Sequence, residues 1–318
     1  MTFHPTLDEI RKAAETIGGV IPLPTPLLFS SGLSKALGAE VFLKLETMTP
    51  IGSFKLRGGI HLISEMHSSH RASGVITAST GNHGQSIAYA AACFSVKAHI
   101  VVPIDANPDK VSSIKQLGAD VIFFGERFDD ARREAERLAD TNGYLYIHPA
   151  ERGLIAGVGS AAIEVLEVQA PETEIVVVPV GGGSGACGWI AARDGLQHEA
   201  EIWATQSLQA PAVHDSWRSG HLLERSNTTF AEGLATAMPF EDPLSLLRQG
   251  LNDFLVVDDS AIADAMRKLI DLAHILAEPA GACSVAAAYQ SIDRIRDRRI
   301  VLVISGANVT REQLKSVL

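Results

Sequence analysis

Short runs of consecutive apolar residues alternate with amphipathic segments along almost the whole chain. Unbroken runs of valine and isoleucine are typical of parallel strands that are buried on both faces. The pattern predicts strands at residues 40–46, 74–78, 97–103, 119–124, 144–147, 174–180, 200–206, 254–258 and 299–304. Apolar residues spaced three and four positions apart predict helices at residues 7–18, 82–95, 108–117, 128–142, 154–169, 185–195, 260–276 and 280–291.

This alternation of strand and helix predicts an α/β protein with doubly wound parallel sheets. Two sheets in contact fit a chain of 318 residues better than one very long sheet. The expected division is a small α/β domain at residues 51–147 and a larger domain formed by residues 1–50 and 148–318. Residues 207–252 follow the pattern less regularly, because glycine and proline turns interrupt them.

Composition narrows the functional classes. A formal charge of −10 argues against a nucleic-acid partner. The sequence has no apolar run of about 18 residues, so no membrane partner is expected. The first residues lack the basic flank and apolar core of a secretion signal. Cys93, Cys187 and Cys283 are far apart and form no zinc or redox motif, so a reducing cytoplasm is the expected location.

Four polar loops follow predicted strands, where doubly wound sheets bind their ligands. The first spans residues 49–59 and predicts that Lys55 lies in the first turn of a helix, with Ser53 as its N-cap. The positive end of the helix dipole repels a cation there. The position suits a lysine that loses its charge in a Schiff base, although an ordinary surface lysine is the alternative.

The second loop, residues 78–84, places hydroxyl and amide groups at the start of a predicted helix. Free backbone N–H groups and side-chain donors at such a turn suit a carboxylate ligand. A simple helix cap with a glycine turn would use the same residues. The side chains that carry the carboxylate hypothesis are Ser79, Thr80, Asn82 and His83.

The third loop, Gly181 to Gly185, has the composition of an anion cradle between a strand and a helix. A dinucleotide site would need an acidic residue about 20 positions later, and Gln206 stands there, which favours a simple phosphate. The fourth loop places Ser305 after the last strand, as a cap or as a partner for a ring nitrogen. Together the four loops indicate a phosphorylated aldehyde cofactor held as a Schiff base.

Six motifs in this sequence resemble those of fold type II pyridoxal-phosphate enzymes, the tryptophan synthase β-like kind. Within that group they are most similar to the serine/threonine dehydratases (ammonia-lyases) and serine racemases. The motifs occur in the family's order and span nearly the whole chain. They are residues 53–58, 79–84, 181–185, 230–233, 278–282 and 305–308.

The resemblance implies that pyridoxal 5′-phosphate is the cofactor and that Lys55 binds it covalently and acts as the base. The other cofactor contacts that it implies are Phe54, Asn82, Gly181, Gly182, Gly183, Ser184, Gly185, Gly233, Glu278 and Ser305. The substrate carboxylate would contact Ser79, Thr80, Asn82 and His83, and Arg132 aligns with an arginine found near the substrate in some members.

The resemblance further implies a β-elimination that converts a β-hydroxy amino acid, L-threonine or L-serine, to a 2-oxo acid and ammonia. A hydroxyl such as Ser305 opposite the pyridine nitrogen does not enforce its protonation, which favours prompt elimination. Thr80 stands where racemases carry a catalytic serine and many dehydratases carry alanine. Its methyl group restricts χ1, so elimination is expected in preference to racemisation.

Several alternatives stay open at this stage. The substrate could be a hydroxyaspartate or a phenylserine, the enzyme could be a serine racemase, and a non-catalytic α/β binding protein is the alternative of another class. O-acetylserine sulfhydrylases of the same fold differ in the residues after the lysine and after Asn82.

No metal is expected, because Gln206, Ala210 and Ala212 replace the acidic ligands of some relatives. A homodimer is the family expectation, and the short segment after Ser305 leads us to expect no regulatory domain.

Overall fold

Ten strands and fifteen helices alternate along residues 3–318, the part of the chain that the computed structural model describes. The strands are β1 (Leu27–Phe29), β2 (Glu40–Leu45), β3 (Val75–Ala78), β4 (Ala98–Val102), β5 (Asp120–Phe123), β6 (Leu145–Tyr146), β7 (Ile175–Pro179), β8 (Glu201–Ser207), β9 (Asp253–Val257) and β10 (Arg299–Ile304). The helices are α1 (Leu7–Gly18), α2 (Ser31–Leu37), α3 (Lys55–Ser64), α4 (Ser68–Ser73), α5 (Asn82–Cys93), α6 (Pro108–Gln116), α7 (Phe128–Asn142), α8 (Arg152–Ile163), α9 (Ser184–Leu196), α10 (Ala212–Ser219), α11 (Glu241–Gly250), α12 (Asp259–Ala273), α13 (Pro279–Gln290), α14 (Ile292–Ile295) and α15 (Arg311–Val317).

The strands form two sheets. The larger has the order β1-β2-β10-β7-β8-β9 and the smaller has the order β5-β4-β3-β6. Every neighbouring pair is parallel except β1 and β2, which run antiparallel. The predicted parallel, doubly wound α/β architecture is therefore confirmed. The smaller sheet comes from one continuous stretch of chain, whereas the domain boundaries at residues 51 and 147 stay a prediction.

Helices cover both faces of each sheet and place one helix at the junction between them. Helices α12 and α13 pack on one side of the larger sheet, and α8 and α9 pack on the other. Helix α3 contacts α5, which covers the smaller sheet, and it also contacts α8. The start of α3 thus lies where the two sheets meet. Within residues 3–318, no helix combines the length and the apolar character needed to cross a membrane.

The main differences from the sequence prediction are short elements. The hydrophobic pattern did not predict strand β1, because this strand has only three residues, lies at a sheet edge and has two of its residues exposed. Helices α10 and α11 lie in the stretch 207–252, for which the sequence predicts irregular structure. Their apolar faces are only one or two turns long. The helical pattern is therefore weaker than the turn pattern of the glycine and proline residues around them. Helix α8 ends at Ile163 and continues as a π-helical segment, Glu164–Gln169, where the sequence predicts one α-helix.

A buried ion cluster fixes the start of α3 to the larger sheet. We define it as Lys44 on β2, Glu46 after β2, Arg57 on α3 and Glu164 at the end of α8. Arg57 donates to Glu46 at 2.8 and 2.9 Å and to Glu164 at 2.7 and 2.9 Å. Lys44 donates to Glu164 at 2.6 Å. Two positive and two negative charges balance inside the protein, as buried charges require.

Candidate active site

A cleft of about 440 Å³ opens between the two sheets, which is within the usual size of a small-molecule site. It lies beyond the carboxyl ends of β3, β7 and β10, where the three polar loops after these strands meet the start of α3. Every site residue expected from the sequence except Arg132 lines this cleft. These residues are Phe54, Lys55, Ser79, Thr80, Asn82, His83, Gly181, Gly182, Gly183, Ser184, Gly185, Gly233, Glu278 and Ser305.

Lys55 is the first residue of α3, in agreement with the sequence prediction. The predicted N-cap, Ser53, is wrong by one residue, because Phe54 occupies the cap position without a side-chain cap bond. The Ser53 hydroxyl instead accepts a long hydrogen bond of 3.4 Å from the backbone N–H of Lys55. Burial lowers the pKa of Lys55 to about 8, so a neutral, nucleophilic amine is accessible near neutral pH.

The glycine loop has the geometry of an anion cradle. Gly183 adopts φ +95° at the N-cap of α9, and no side chain caps this helix start. The first N–H groups of α9 are therefore free of a side-chain acceptor. A Cβ at Gly181 would lie 2.2 Å from the carbonyl oxygen of Gly233, and one at Gly182 would lie 2.9 Å from the Phe240 ring. A side chain at either position would therefore displace the neighbouring backbone or ring, so the loop can hold this shape only with glycine there.

An oriented amide lies on the opposite side of the cleft. The Asn308 side chain donates to Asn82 Oδ1 at 2.6 Å, and Asn82 Nδ2 donates to Glu278 Oε1 at 2.8 Å. These two bonds determine which end of the Asn82 amide is the donor. Burial raises the pKa of Glu278 to about 7, although the bond from Asn82 opposes the shift. The Glu278 carboxyl group can therefore gain or lose a proton near neutral pH.

His83 faces inward as well as into the cleft. Its Nε2 lies 3.1 Å from the Thr77 hydroxyl, which itself donates to the carbonyl of Ile147 at 2.8 Å. Because the hydroxyl has only one hydrogen, we assign the hydrogen of this contact to His83 Nε2. Burial, followed by the charge of Lys55, lowers the pKa of His83 to about 3. His83 is thus a neutral hydrogen-bonding group, and its contact with a substrate carboxylate stays a prediction.

Arg132 is the one expected site residue that the structure does not bring to the cleft. It lies on α7, where its guanidinium pairs with Glu136 at 2.8 Å and with Asp129 at 3.7 Å. Its side chain is 41% exposed. From the same part of the chain, Phe128 does line the cleft. The substrate role of Arg132 remains an untested prediction.

Several residues that line the cleft were not among the expected site residues: Gln85, Lys110, Phe128, Asn227, Glu232 and Asn308. Glu232 lies within the sequence motif 230–233. Asn308 closes the last sequence motif, so the motif itself was the available signal. Lys110 on α6 forms an ion pair with Glu232, and Glu232 also accepts from Gln313 at 3.1 Å. This pair links the helix layer of the smaller sheet to the larger sheet across the cleft. A charged pair of this kind has no sequence signature, because its partners are 122 residues apart.

The lining matches the parts of pyridoxal 5′-phosphate, the cofactor that the sequence motifs imply. Lys55 supplies an amine for its aldehyde, and the glycine loop with the uncapped start of α9 suits its phosphate. Phe54 and Gly233 leave room for a flat ring, and Ser305, 6% exposed after β10, offers a hydroxyl to the ring nitrogen. The donor set therefore fits this group.

Comparison with known proteins agrees with this assignment. The family model for pyridoxal-phosphate dependent enzymes matches residues 21–306. The chain is 35% identical to an L-threonine ammonia-lyase of Thermotoga maritima, across 98% of this chain and 78% of that protein. It is 32% identical to a serine racemase of Schizosaccharomyces pombe, across 97% of this chain and 96% of that protein. The processed threonine deaminase isoform 2 of Solanum lycopersicum superimposes with a TM-score of 0.90 at 29% identity, covering 100% of this chain and 94% of that one. The chain belongs to the family of pyridoxal-phosphate dependent enzymes.

Proposed function

We propose that this enzyme catalyses β-elimination of a β-hydroxy amino acid, L-threonine or L-serine, to a 2-oxo acid and ammonia. The observation that carries the proposal is the meeting of Lys55, the glycine loop and the Ser305 hydroxyl in one cleft. The similarity to the threonine ammonia-lyase of Thermotoga maritima supports the same reaction. A carboxylate in place of Ser305 would have favoured longer-lived carbanion chemistry.

Each part of the cleft has a role in this reaction. When bound, pyridoxal 5′-phosphate supplies an aldehyde for the substrate amine and a ring that withdraws electrons from Cα. Lys55 removes the Cα proton and holds it as an ammonium group. The start of α5, with Ser79, Thr80 and Asn82, offers N–H and side-chain donors to the substrate carboxylate. The β-hydroxyl takes up one proton as it leaves as water, which balances the proton that Lys55 removed from Cα. Hydrolysis of the product then releases ammonia.

The test is release of 2-oxo acid by the cofactor-loaded enzyme from a panel of L-threonine, L-serine, D-serine, hydroxyaspartates and phenylserine. We expect the highest kcat/KM with L-threonine or L-serine. A higher value for a hydroxyaspartate or a phenylserine would replace the substrate assignment but retain the reaction. No 2-oxo acid from any of them, in protein that has bound the cofactor, would contradict the proposal.

Serine racemase activity is a second candidate, because Thr80 places a hydroxyl in the cleft and the fission-yeast relative is a serine racemase. We expect Thr80→Ala to change kcat for dehydration by less than about threefold, well below the 10²- to 10⁴-fold contribution of an acid–base group, and to show the lost carboxylate contact as a higher KM. Chiral chromatography of serine incubated with both proteins measures racemisation in parallel. A 100-fold loss of kcat would show that Thr80 is an acid–base residue of the elimination.

We further propose that the enzyme is a cytoplasmic homodimer that acts on a free amino acid. The free thiols of Cys93, Cys187 and Cys283 support a reducing compartment, and the homodimer follows from the family resemblance. Light scattering of the purified protein is expected to give twice the chain mass of 33.9 kDa. A mass equal to that of one chain, at micromolar concentration, would contradict the dimer.

A further inference from the structure

Ser184 interrupts the run of glycines in the phosphate-binding loop. It is the one residue of the loop 181–185 that carries a side chain, since the other four are glycines. Ser184 is the first residue of α9 and is 2% exposed. A buried hydroxyl must find a partner, because an unsatisfied one is costly.

The partner of this hydroxyl is the catalytic lysine. Lys55 Nζ donates a hydrogen bond of 2.7 Å to Ser184 Oγ, across a sequence separation of 129 residues. Within residues 3–318, this is the one hydrogen bond formed by Lys55 Nζ. The same amine lies 5.3 Å from the centroid of the Phe54 ring. The Lys55 amine therefore lies between the glycine loop and the Phe54 ring, both of which line the cleft.

We propose that Ser184 is a positioning residue for Lys55 that holds its ammonium form against the phosphate loop, which deepens the elimination proposed above and rests on it. In the reaction, Lys55 takes one proton from Cα and becomes an ammonium group. The Ser184 oxygen accepts a hydrogen bond from that group and gains no proton itself. Since a hydroxyl that accepts one bond keeps a hydrogen to donate, Ser184 also has a donor for a phosphate oxygen.

The physical consequence is a change in the proton affinity of Lys55. A hydrogen bond from a charged donor favours the ammonium form and opposes the effect of burial, which lowers the pKa of Lys55. Removing the acceptor is expected to lower that pKa further, by about one unit. The other ionisable groups that line the cleft are unchanged by the substitution: His83 on α5, Lys110 on α6, Glu232 near Gly233, and Glu278 before α13.

The experiment compares Ser184→Ala with Ser184→Thr, which restores a hydroxyl, in cofactor-free full-length protein. Trinitrobenzenesulfonate labels neutral amines, and peptide mass spectrometry follows the labelling of Lys55 between pH 6 and pH 10. We expect the labelling midpoint to fall by about one unit in the alanine variant and to return in the threonine variant. Lys35, which is exposed on α2, is the internal reference, and the extent of its labelling should be the same in all three proteins. An unchanged Lys55 midpoint in Ser184→Ala would overturn the proposal.

Kinetics of the loaded enzyme provide a second readout. We expect Ser184→Ala to lower kcat about tenfold with KM for the amino acid nearly unchanged, because the proposed substrate carboxylate contacts lie at the start of α5 and in the loop before it. A change in KM alone would overturn the positioning role. A wild-type enzyme without elimination activity, combined with a shifted labelling midpoint, would refute the proposed function while supporting the contact between Ser184 and Lys55.

Discussion

Lys55→Ala is expected to abolish elimination, with a loss of at least about 10³-fold in kcat, because it removes both the covalent attachment and the base. The glycine loop and the start of α9 are unaltered in this variant, so it should still bind the cofactor, without the covalent bond. Borohydride reduction followed by peptide mapping checks the attachment directly. The cofactor mass should appear on Lys55 in the wild-type enzyme and be absent from the variant.

Lys110 provides the matched control, because it is the other lysine that lines the cleft. Reduction should leave Lys110 unlabelled in the wild-type enzyme, and Lys110→Ala should retain the label on Lys55. Substantial turnover by Lys55→Ala, or a cofactor adduct on a different lysine, would remove the basis of the site assignment.

Arg57→Met is expected to destabilise the protein by roughly 3–5 kcal/mol, since it leaves buried carboxylates without their partner. That loss is a large part of the roughly 5–15 kcal/mol by which proteins of this kind are usually stable. Urea denaturation measures it. Arg11→Met is the control, because the pair of Arg11 with Glu167 is exposed and is worth about 1 kcal/mol at most. An equal loss in both variants would mean that burial of the ion cluster has no special energetic role.

The pH dependence of this loss has a definite sign. In the wild-type protein, burial would raise the pKa of Glu164, but the charges of Arg57 and Lys44 outweigh it and lower the pKa. Arg57 is the first of the two charges that lower this pKa, so Arg57→Met removes a stabilisation that is present above the unfolded pKa of Glu164, where the carboxylate is ionised. As the pH falls below that value, Glu164 becomes protonated and the wild-type protein loses the same stabilisation. The stability difference between Arg57→Met and wild type should therefore be smaller at pH 4 than at pH 7.

Much of the fold was accessible from the sequence because strands buried on both faces have a characteristic composition. Val176, Val177 and Val178 are almost wholly buried in β7, and short valine runs bounded by turns are typical of such strands. The same holds for the glycine loop, where Gly181 has no room for a side chain. Loops at the carboxyl ends of parallel strands converge as a matter of geometry, so four separate motifs could be combined into one site.

What the sequence did not reveal depends on tertiary partners. Lys44 and Arg57 look like surface residues in the sequence, but both are 0% exposed, because two glutamates from distant segments neutralise them. The inward hydrogen bond of His83 requires Thr77 and the carbonyl of Ile147 to be in place. The bond between Lys55 and Ser184 depends on how two helix starts face each other. No local pattern encodes such contacts.

The strand order has a consequence for how the enzyme is made. Strand β10 lies between β2 and β7 in the larger sheet, although about 250 residues separate it from β2. The four strands of the smaller sheet follow one another closely in the sequence. All four are therefore synthesised before the ribosome has translated strands β7 to β10. The backbone N–H of Phe54 donates to the carbonyl of Ser305 at 3.0 Å. The segment just before Lys55 therefore lacks this contact until a residue about 250 positions later has been synthesised, so the binding cleft forms later than the smaller sheet.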